Sequence, residues 1–126
     1  MFKIKYYLDK SKIHGLGIFA KEDIKKGKII YVHNDKLDLI LTQKEFNELN
    51  KKEKKLVLHY GYFNKKLNKW RLDHDDIRFC NHSKNSNITL FQGKIISKKN
   101  ISKGEELLQN YSEFKDKKSL AIKKII

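Results

Sequence analysis

Three segments of the chain carry groups able to do chemistry. His14-Gly15-Leu16-Gly17-Ile18-Phe19-Ala20 brackets one residue with two glycines, so backbone can approach a ligand with no Cβ between them. Arg78-Phe79-Cys80-Asn81-His82-Ser83, with Asn87 four residues on, sets two polar side chains together, each with donors and acceptors. Gly104-Glu105-Glu106-Leu107-Leu108-Gln109-Asn110-Tyr111 ends in a phenol. Each also has a plain structural reading: a tight turn between strands, a polar surface loop, and an edge strand with a half-buried Tyr. A fourth segment, Tyr60-Gly61-Tyr62-Phe63, clusters rings with hydroxyls. Such rings could wall a channel, an apolar stem packing on them and a polar tip meeting their hydroxyl oxygens. Clustered aromatics serve equally well as core.

Other chemistries find less support. His74-Asp75-Asp76 with His82 offers metal-ligand types, but the spacing fits no strong metal motif, and a solvated loop with no metal is expected. The single cysteine, Cys80, excludes an intrachain disulfide and any zinc site with two Cys ligands. A Gly-rich phosphate loop ending in Lys-Ser or Lys-Thr is absent. The formal net charge of +14 invites a nucleic-acid reading, yet only Arg71 and Arg78 among 29 basic residues are arginine. Readers of phosphates and base edges lean on the bidentate Arg fork, so a solvated Lys surface is expected, with no specific nucleic-acid partner. No run approaches 18 apolar residues, and charges stand where a signal peptide needs an apolar stretch. The expectation is no membrane association and an intracellular protein: cytoplasmic if bacterial, nuclear or chromatin-associated if viral or eukaryotic.

The elements that must position these segments follow from local pattern. At 126 residues, 39% hydrophobic and 35% charged, the chain is expected to form one domain. Residues 3–8 alternate weakly and predict an edge strand; Gly15 and Gly17 bracket a tight turn; Ile18-Phe19-Ala20 starts a strand, and residues 28–32 form another. Thr42-Gln43-Lys44-Glu45 is a capping-box pattern that opens a helix over about 43–50. Residues 51–59 suit a second helix with Leu56, Val57 and Tyr60 on its buried side. Residues 88–91 and 94–97 predict strands around a Gln92-Gly93 hairpin turn. Asp23-Ile24-Lys25-Lys26-Gly27 echoes Asn100-Ile101-Ser102-Lys103-Gly104, each a polar turn ending in Gly before an apolar strand. Residues 113–126 form a basic tail expected to be helical. The whole predicts a mainly β fold with small helices.

In this order the three segments resemble the signature segments of the SET domain, a family of S-adenosylmethionine-dependent protein lysine methyltransferases. The resemblance spans roughly residues 3–112 and implies a SET domain over 1–112 with a tail over 113–126. It implies small curved sheets of β-clip type with a C-terminal pseudoknot. It also implies S-adenosylmethionine as cofactor, contacted by His14, Gly15, Leu16, Gly17, Asn81, His82 and Tyr111. Tyr111 would be catalytic, orienting a lysine amine, and Tyr60, Tyr62 and Gln109 would line the substrate channel. Arg78 and Asn87 would be structural, through buried hydrogen bonds. Four positions depart from the family pattern: Lys84 for Cys, Ser86 for Pro, Leu108 for Thr, and Gln109 for a Tyr or Phe that helps set how many methyl groups are added. The implied partner is a protein substrate with a target lysine; a homodimer through the tail would complete its groove. The alternative is a SET-like scaffold, weak or inactive in catalysis, that binds a protein or nucleic acid through its basic surface.

Overall fold

The computed structural model describes residues 1–113. Its strands and helices run β1 Tyr6–Lys10, β2 Leu16–Ala20, β3 Ile29–Val32, β4 Leu39–Leu41, α1 Gln43–Asn47, α2 Lys51–Tyr60, β5 Tyr62–Asn64, β6 Lys69–Leu72, β7 Asn81–His82, β8 Ile88–Phe91, β9 Lys94–Ser97 and β10 Leu108–Gln109. Single turns of 3-10 helix cover Asp76–Phe79 and Tyr111–Glu113. The mainly β architecture of small sheets and short helices is as expected from the sequence. The described residues form two compact units, Met1–His33 with Phe79–Glu113, and Asn34–Arg78. The helical tail, and the homodimer it would carry, fall on residues 114–126, outside the described residues.

In the first unit β1 and β2 form an antiparallel hairpin, Tyr6 opposite Ala20 and Lys10 opposite Leu16. The Ser11 N–H closes its loop on the Gly15 carbonyl at 2.8 Å, with Gly15 at φ +47°. Only Gly15 belongs to the turn; Gly17 lies inside β2. A second sheet orders β3-β9-β8, all antiparallel. Its β8–β9 turn has Gln92 at φ 49° and Gly93 at φ 76°, the left-handed pair that a tight two-residue hairpin turn requires. The first strand starts later than expected, at Tyr6. Residues 2–3 lie along β3 instead, with the Lys3 N–H on the Ile30 carbonyl at 2.8 Å and Phe2 bridging Tyr31. Aromatic packing accounts for this: the Phe2 ring stacks on Tyr6 at 3.9 Å and meets Tyr31 edge-on at 5.0 Å. Ile18, Ile30, Ile88, Ile95, Ile101 and Leu107 fill the core, each contributing about 1.5–3 kcal/mol by burial before entropic costs.

The two echoing turns face each other. Ile24 and Ile101 exchange both backbone hydrogen bonds at 2.8 Å. The Lys26 N–H then donates to Asn100 Oδ1, and the Lys103 N–H donates to Asp23 Oδ1, each at 2.8 Å. Each turn thus satisfies an orphan donor of the other. The two turns, alike in their polar chemistry, form a reciprocal clasp, and it sets where the segment after Gly104 begins.

In the second unit, β4-β6-β5 form an antiparallel sheet packed with two capped helices. The Thr42–Glu45 capping box forms as expected, and a second joins Asn50 to Glu53. Because Asn50 caps α2, α1 ends at Asn47 rather than near residue 50. Trp70 stacks on Phe46 at 4.3 Å, Val57 completes the core, and the Trp70 Nε1–H donates to Gln43 Oε1 at 3.0 Å. The α2 face that packs is Val57 with Leu58, which turns Leu56 outward at 49% exposure and leaves Tyr60 half-buried, contrary to expectation.

A buried ionic network organises the rest of this unit. The Arg71 guanidinium donates through Nη2 to Asp38 at 2.5 Å and to Asp35 at 2.7 Å, and through Nε to Asp73 at 3.3 Å. Asp38 also accepts from the His74 backbone N–H at 3.0 Å and meets His74 Nδ1 at 2.6 Å. His74 therefore does not lie in a merely solvated loop; Asp38, its side chain fully buried, holds it. Among the described residues no helix is long and apolar enough to cross a membrane.

Burial alone would raise the Asp38 pKa, but the hydrogen bonds from His74 and Arg71 outweigh it and hold the carboxyl below its ordinary 3.8. A depressed folded-state pKa stabilises the native state above the unfolded value, and that contribution is lost as pH falls through the folded one. Denaturant melts should therefore show stability falling below about pH 4, with a shallower fall in Asp38→Asn. At pH 7, Asp38→Ala should cost about 1.5–3 kcal/mol, the worth of a hydrogen bond to a charged group, because Arg71 keeps Asp35 and Asp73.

Candidate functional site

The first unit gathers all three chemical segments. After Gly104 the chain runs along β2: the Gly104 N–H donates to the Ala20 carbonyl, the Ala20 N–H to the Glu105 carbonyl and the Leu107 N–H to the Ile18 carbonyl, at 2.7–2.9 Å. It then pairs as β10, in parallel, with β7, Leu108 opposite Asn81 and Gln109 opposite His82. Asn87 takes the structural role expected of it. Its Oδ1 accepts from the Leu108 N–H and its Nδ2 donates to the Glu106 carbonyl, both at 2.8 Å. The segment is held from both sides before it reaches Tyr111.

The junction of the three segments is the side-chain amide of Asn81. Its Nδ2 stands 3.0 Å from the His14 carbonyl, 3.1 Å from the Leu16 carbonyl and 2.9 Å from Glu106 Oε2. Asn81 is buried, and two N–H groups serve three acceptors. Glu106 is anchored a second time by the Ser11 hydroxyl, at 2.8 and 2.9 Å from its two oxygens. Its carboxylate fills the space beside Gly17, where a Cβ would meet Oε2 at 2.3 Å and Cδ at 2.8 Å. The second glycine thus makes room for a carboxylate of the same protein. The groups gathered around the Asn81 amide are all acceptors, two carbonyls and a carboxylate.

His82 links this junction to Tyr111. The Tyr111 backbone N–H donates to His82 Nδ1 at 3.0 Å, and the two rings lie 5.0 Å apart. The Tyr111 hydroxyl donates to the Cys80 carbonyl. Burial, with a smaller contribution from Cys80, pushes the phenol well above its ordinary value and keeps it protonated. Gln109 is 7% exposed, a buried carboxamide two residues before Tyr111.

Tyr60 and Tyr62 belong to the second unit. The Arg78 guanidinium sits over the Tyr60 ring, 5.0 Å from its centroid, so one face of that ring already carries a cation; His59 packs on it edge-on at 4.4 Å. Tyr62 is buried opposite Arg71 in the β5–β6 register. Burial first, and the Asp73 carboxylate second, push its phenol far up.

Sequence reasoning singled out Asn81, His82 and the glycine loop, but not Ser11 or Glu106. Glu106 was visible only as one of two adjacent glutamates, and its hydrogen-bond partner Ser11 lies 95 residues away.

Comparison with known proteins bears on the family and the fold. A family model described as SET domain matches residues 15–112. A candidate histone methyltransferase from Plasmodium falciparum is similar in structure, with a TM-score of 0.62 and 25% identity over 86% of this chain and 94% of that one. The Neurospora SET domain protein DIM-5, a histone lysine methyltransferase, matches with a TM-score of 0.61 and 21% identity over 87% of this chain and 53% of that one. Chaetomium thermophilum Polycomb Repressive Complex 2, in an autoinhibited conformation bound to S-adenosylmethionine, gives 0.66 and 21% over 96% of this chain, which spans 17% of that one. A search of curated proteins found no match.

The packing of Glu106 on Gly17 yields a direct test. Gly17→Ala should destabilise the protein by about 1–3 kcal/mol, the usual cost of overpacking. In a double-mutant cycle, Glu106→Ala should relieve most of that cost, giving a coupling of about 0.5–3 kcal/mol in denaturant melts.

Proposed function

The chain belongs to the SET domain family, and from that premise we propose that it is a protein lysine N-methyltransferase that uses S-adenosylmethionine. The observation that carries the reading is the meeting of three distant segments at Asn81 and His82, with Tyr111 bonded to His82 and to the neighbouring Cys80 carbonyl. The residues present fit the cofactor. The carbonyls of His14 and Leu16 and the Glu106 carboxylate accept hydrogen bonds, as the ammonium of its amino-acid end requires. Gly15 and Leu16 bring backbone to the same place, Gly17 leaves the room that Glu106 occupies, and His82 offers an exposed ring beside it.

S-adenosylmethionine supplies a methyl group on a sulfonium; in transfer to a lysine ε-amine, the C–S bond breaks as the C–N bond forms, and sulfur leaves as a neutral thioether. The attacking amine must be neutral, while free lysine has a pKa of about 10.4. A channel that strips water from the ammonium lowers that value. We assign the buried carboxamide of Gln109 to that channel. Tyr111, protonated and donating to the Cys80 carbonyl, presents an oxygen that can accept from the amine and orient it. The substrate is a protein; the pattern of residues here names no particular one.

Incubation with labelled S-adenosylmethionine and a protein lysate should label a discrete band. Tyr111→Phe should bind the cofactor within about twofold of wild type in calorimetry, yet lose about a hundredfold or more in methyl transfer. Absence of cofactor binding by the wild-type protein would favour the scaffold reading instead.

A further inference from the structure

We infer that Glu113 is a positioning residue for Tyr111, acting through Thr89; this rests on the reading of Tyr111 given above. Tyr111 opens the short turn Tyr111–Glu113. Local hydrogen bonds shape that turn: Asn110 Oδ1 accepts from the Ser112 N–H at 3.1 Å and the Ser112 hydroxyl at 2.7 Å, and the Glu113 N–H donates to the Asn110 carbonyl at 3.1 Å. None of these fixes where the turn sits. Two bonds of Tyr111 itself do so in part, its N–H to His82 Nδ1 and its hydroxyl to the Cys80 carbonyl. Both end on one stretch of chain, Cys80–His82. Both hold the first residue of the turn, and neither holds its last.

The third point lies on a different strand. The Thr89 hydroxyl donates to the Glu113 carboxylate, a charge-assisted bond of the strong class. Thr89 is set in β8 opposite Ile96, between the buried Ile88 and the hairpin turn, so its hydroxyl is fixed by the sheet. With Cys80, His82 and Thr89 engaged, both ends of the turn are tied to the first unit. The chain at Glu113 thereby determines where the phenol two residues earlier can stand. Nothing in the spacing of Thr89 and Glu113, 24 residues apart, marks them as a pair.

The pairs Glu113→Ala with Glu113→Gln, and Thr89→Val with Thr89→Ser, separate positioning from bulk stability. Gln keeps an acceptor and Ser keeps the hydroxyl, while Ala and Val remove them. We expect Glu113→Ala and Thr89→Val to lower kcat for methyl transfer about tenfold to a hundredfold. KM for the protein substrate and cofactor affinity should stay near wild type, and Gln and Ser should restore most of kcat. The second readout needs no activity. In protein carrying ring-labelled tyrosine, the Tyr111 resonance, assigned by its loss in Tyr111→Phe, should shift or broaden in the Ala and Val variants and return in Gln and Ser. An unmoved Tyr111 resonance in Glu113→Ala, or equal losses of kcat in Ala and Gln, overturns the inference. If the wild-type protein transfers no methyl group, the enzyme reading fails, and the resonance alone decides whether the clasp holds the turn.

Discussion

Asn81 has two amide protons and three acceptors within reach, and these come from two parts of the chain with no local connection to it or to each other: the carbonyls of His14 and Leu16, and the carboxylate of Glu106. An unpaired buried amide costs about 1–3 kcal/mol, so this junction forms completely or not at all. The first unit is arranged around that condition. The β1–β2 hairpin presents the two carbonyls, Gly17 leaves space for the Glu106 carboxylate, and Ser11 turns that carboxylate toward the amide. The clasp of turns at Ile24 and Ile101 sets the start of the segment that carries Glu106. The contacts span 25 to 67 residues of sequence, so most of the loop-closure entropy is lost before the junction contributes anything.

That separation decides what could be read from the sequence. Features whose partners lie within a few residues were legible. The Thr42–Glu45 box and the Gln92-Gly93 turn depend on local backbone chemistry and appear as expected. Asn81, His82 and Tyr111 were legible for another reason, as parts of ordered motifs that resemble a family. Ser11 and Glu106 were not, because a Ser and one of two neighbouring Glu residues are unremarkable until folding brings them together. The start of β1 was misplaced for the same reason: alternation described residues 3–8 locally, while Phe2 answered to Tyr31 on another strand. Leu56 was an error of phase. Adjacent helical positions differ by about 100°, and the cluster of Phe46 and Trp70 selected Val57.

The second unit shows the limit of reading charge from composition. A net charge of +14 draws attention to a lysine surface, yet its organising cation is one buried arginine among acidic residues. Arg71 is 5% exposed, and Asp38, Asp73 and Asp35 take up its donors. Arginine suits this place because its planar fork can reach several carboxylates at once and it stays charged when buried. His74, which the sequence offered as a metal-type ligand, is engaged by one of those carboxylates. The same acidic surroundings help keep the Tyr62 phenol protonated, so its hydroxyl stays a neutral hydrogen-bonding group.

The hydrogen bonds around Tyr111 also restrict its chemistry. A backbone N–H can only donate, so His82 Nδ1 must accept from it, and a neutral His82 carries its proton on Nε2. A carbonyl can only accept, so the Tyr111 hydroxyl must hold its proton to bond Cys80. Deprotonation would set an oxyanion against a carbonyl oxygen in a buried place, the same disfavoured state that burial of the phenol opposes. Tyr111 is therefore unsuited to act as a general base. In the proposed reaction its part is orientation: the oxygen already donates in one direction and accepts in the others, where a neutral amine can direct an N–H. In that reaction desolvation would lower the pKa of the lysine, and its proton would pass to water and not to Tyr111.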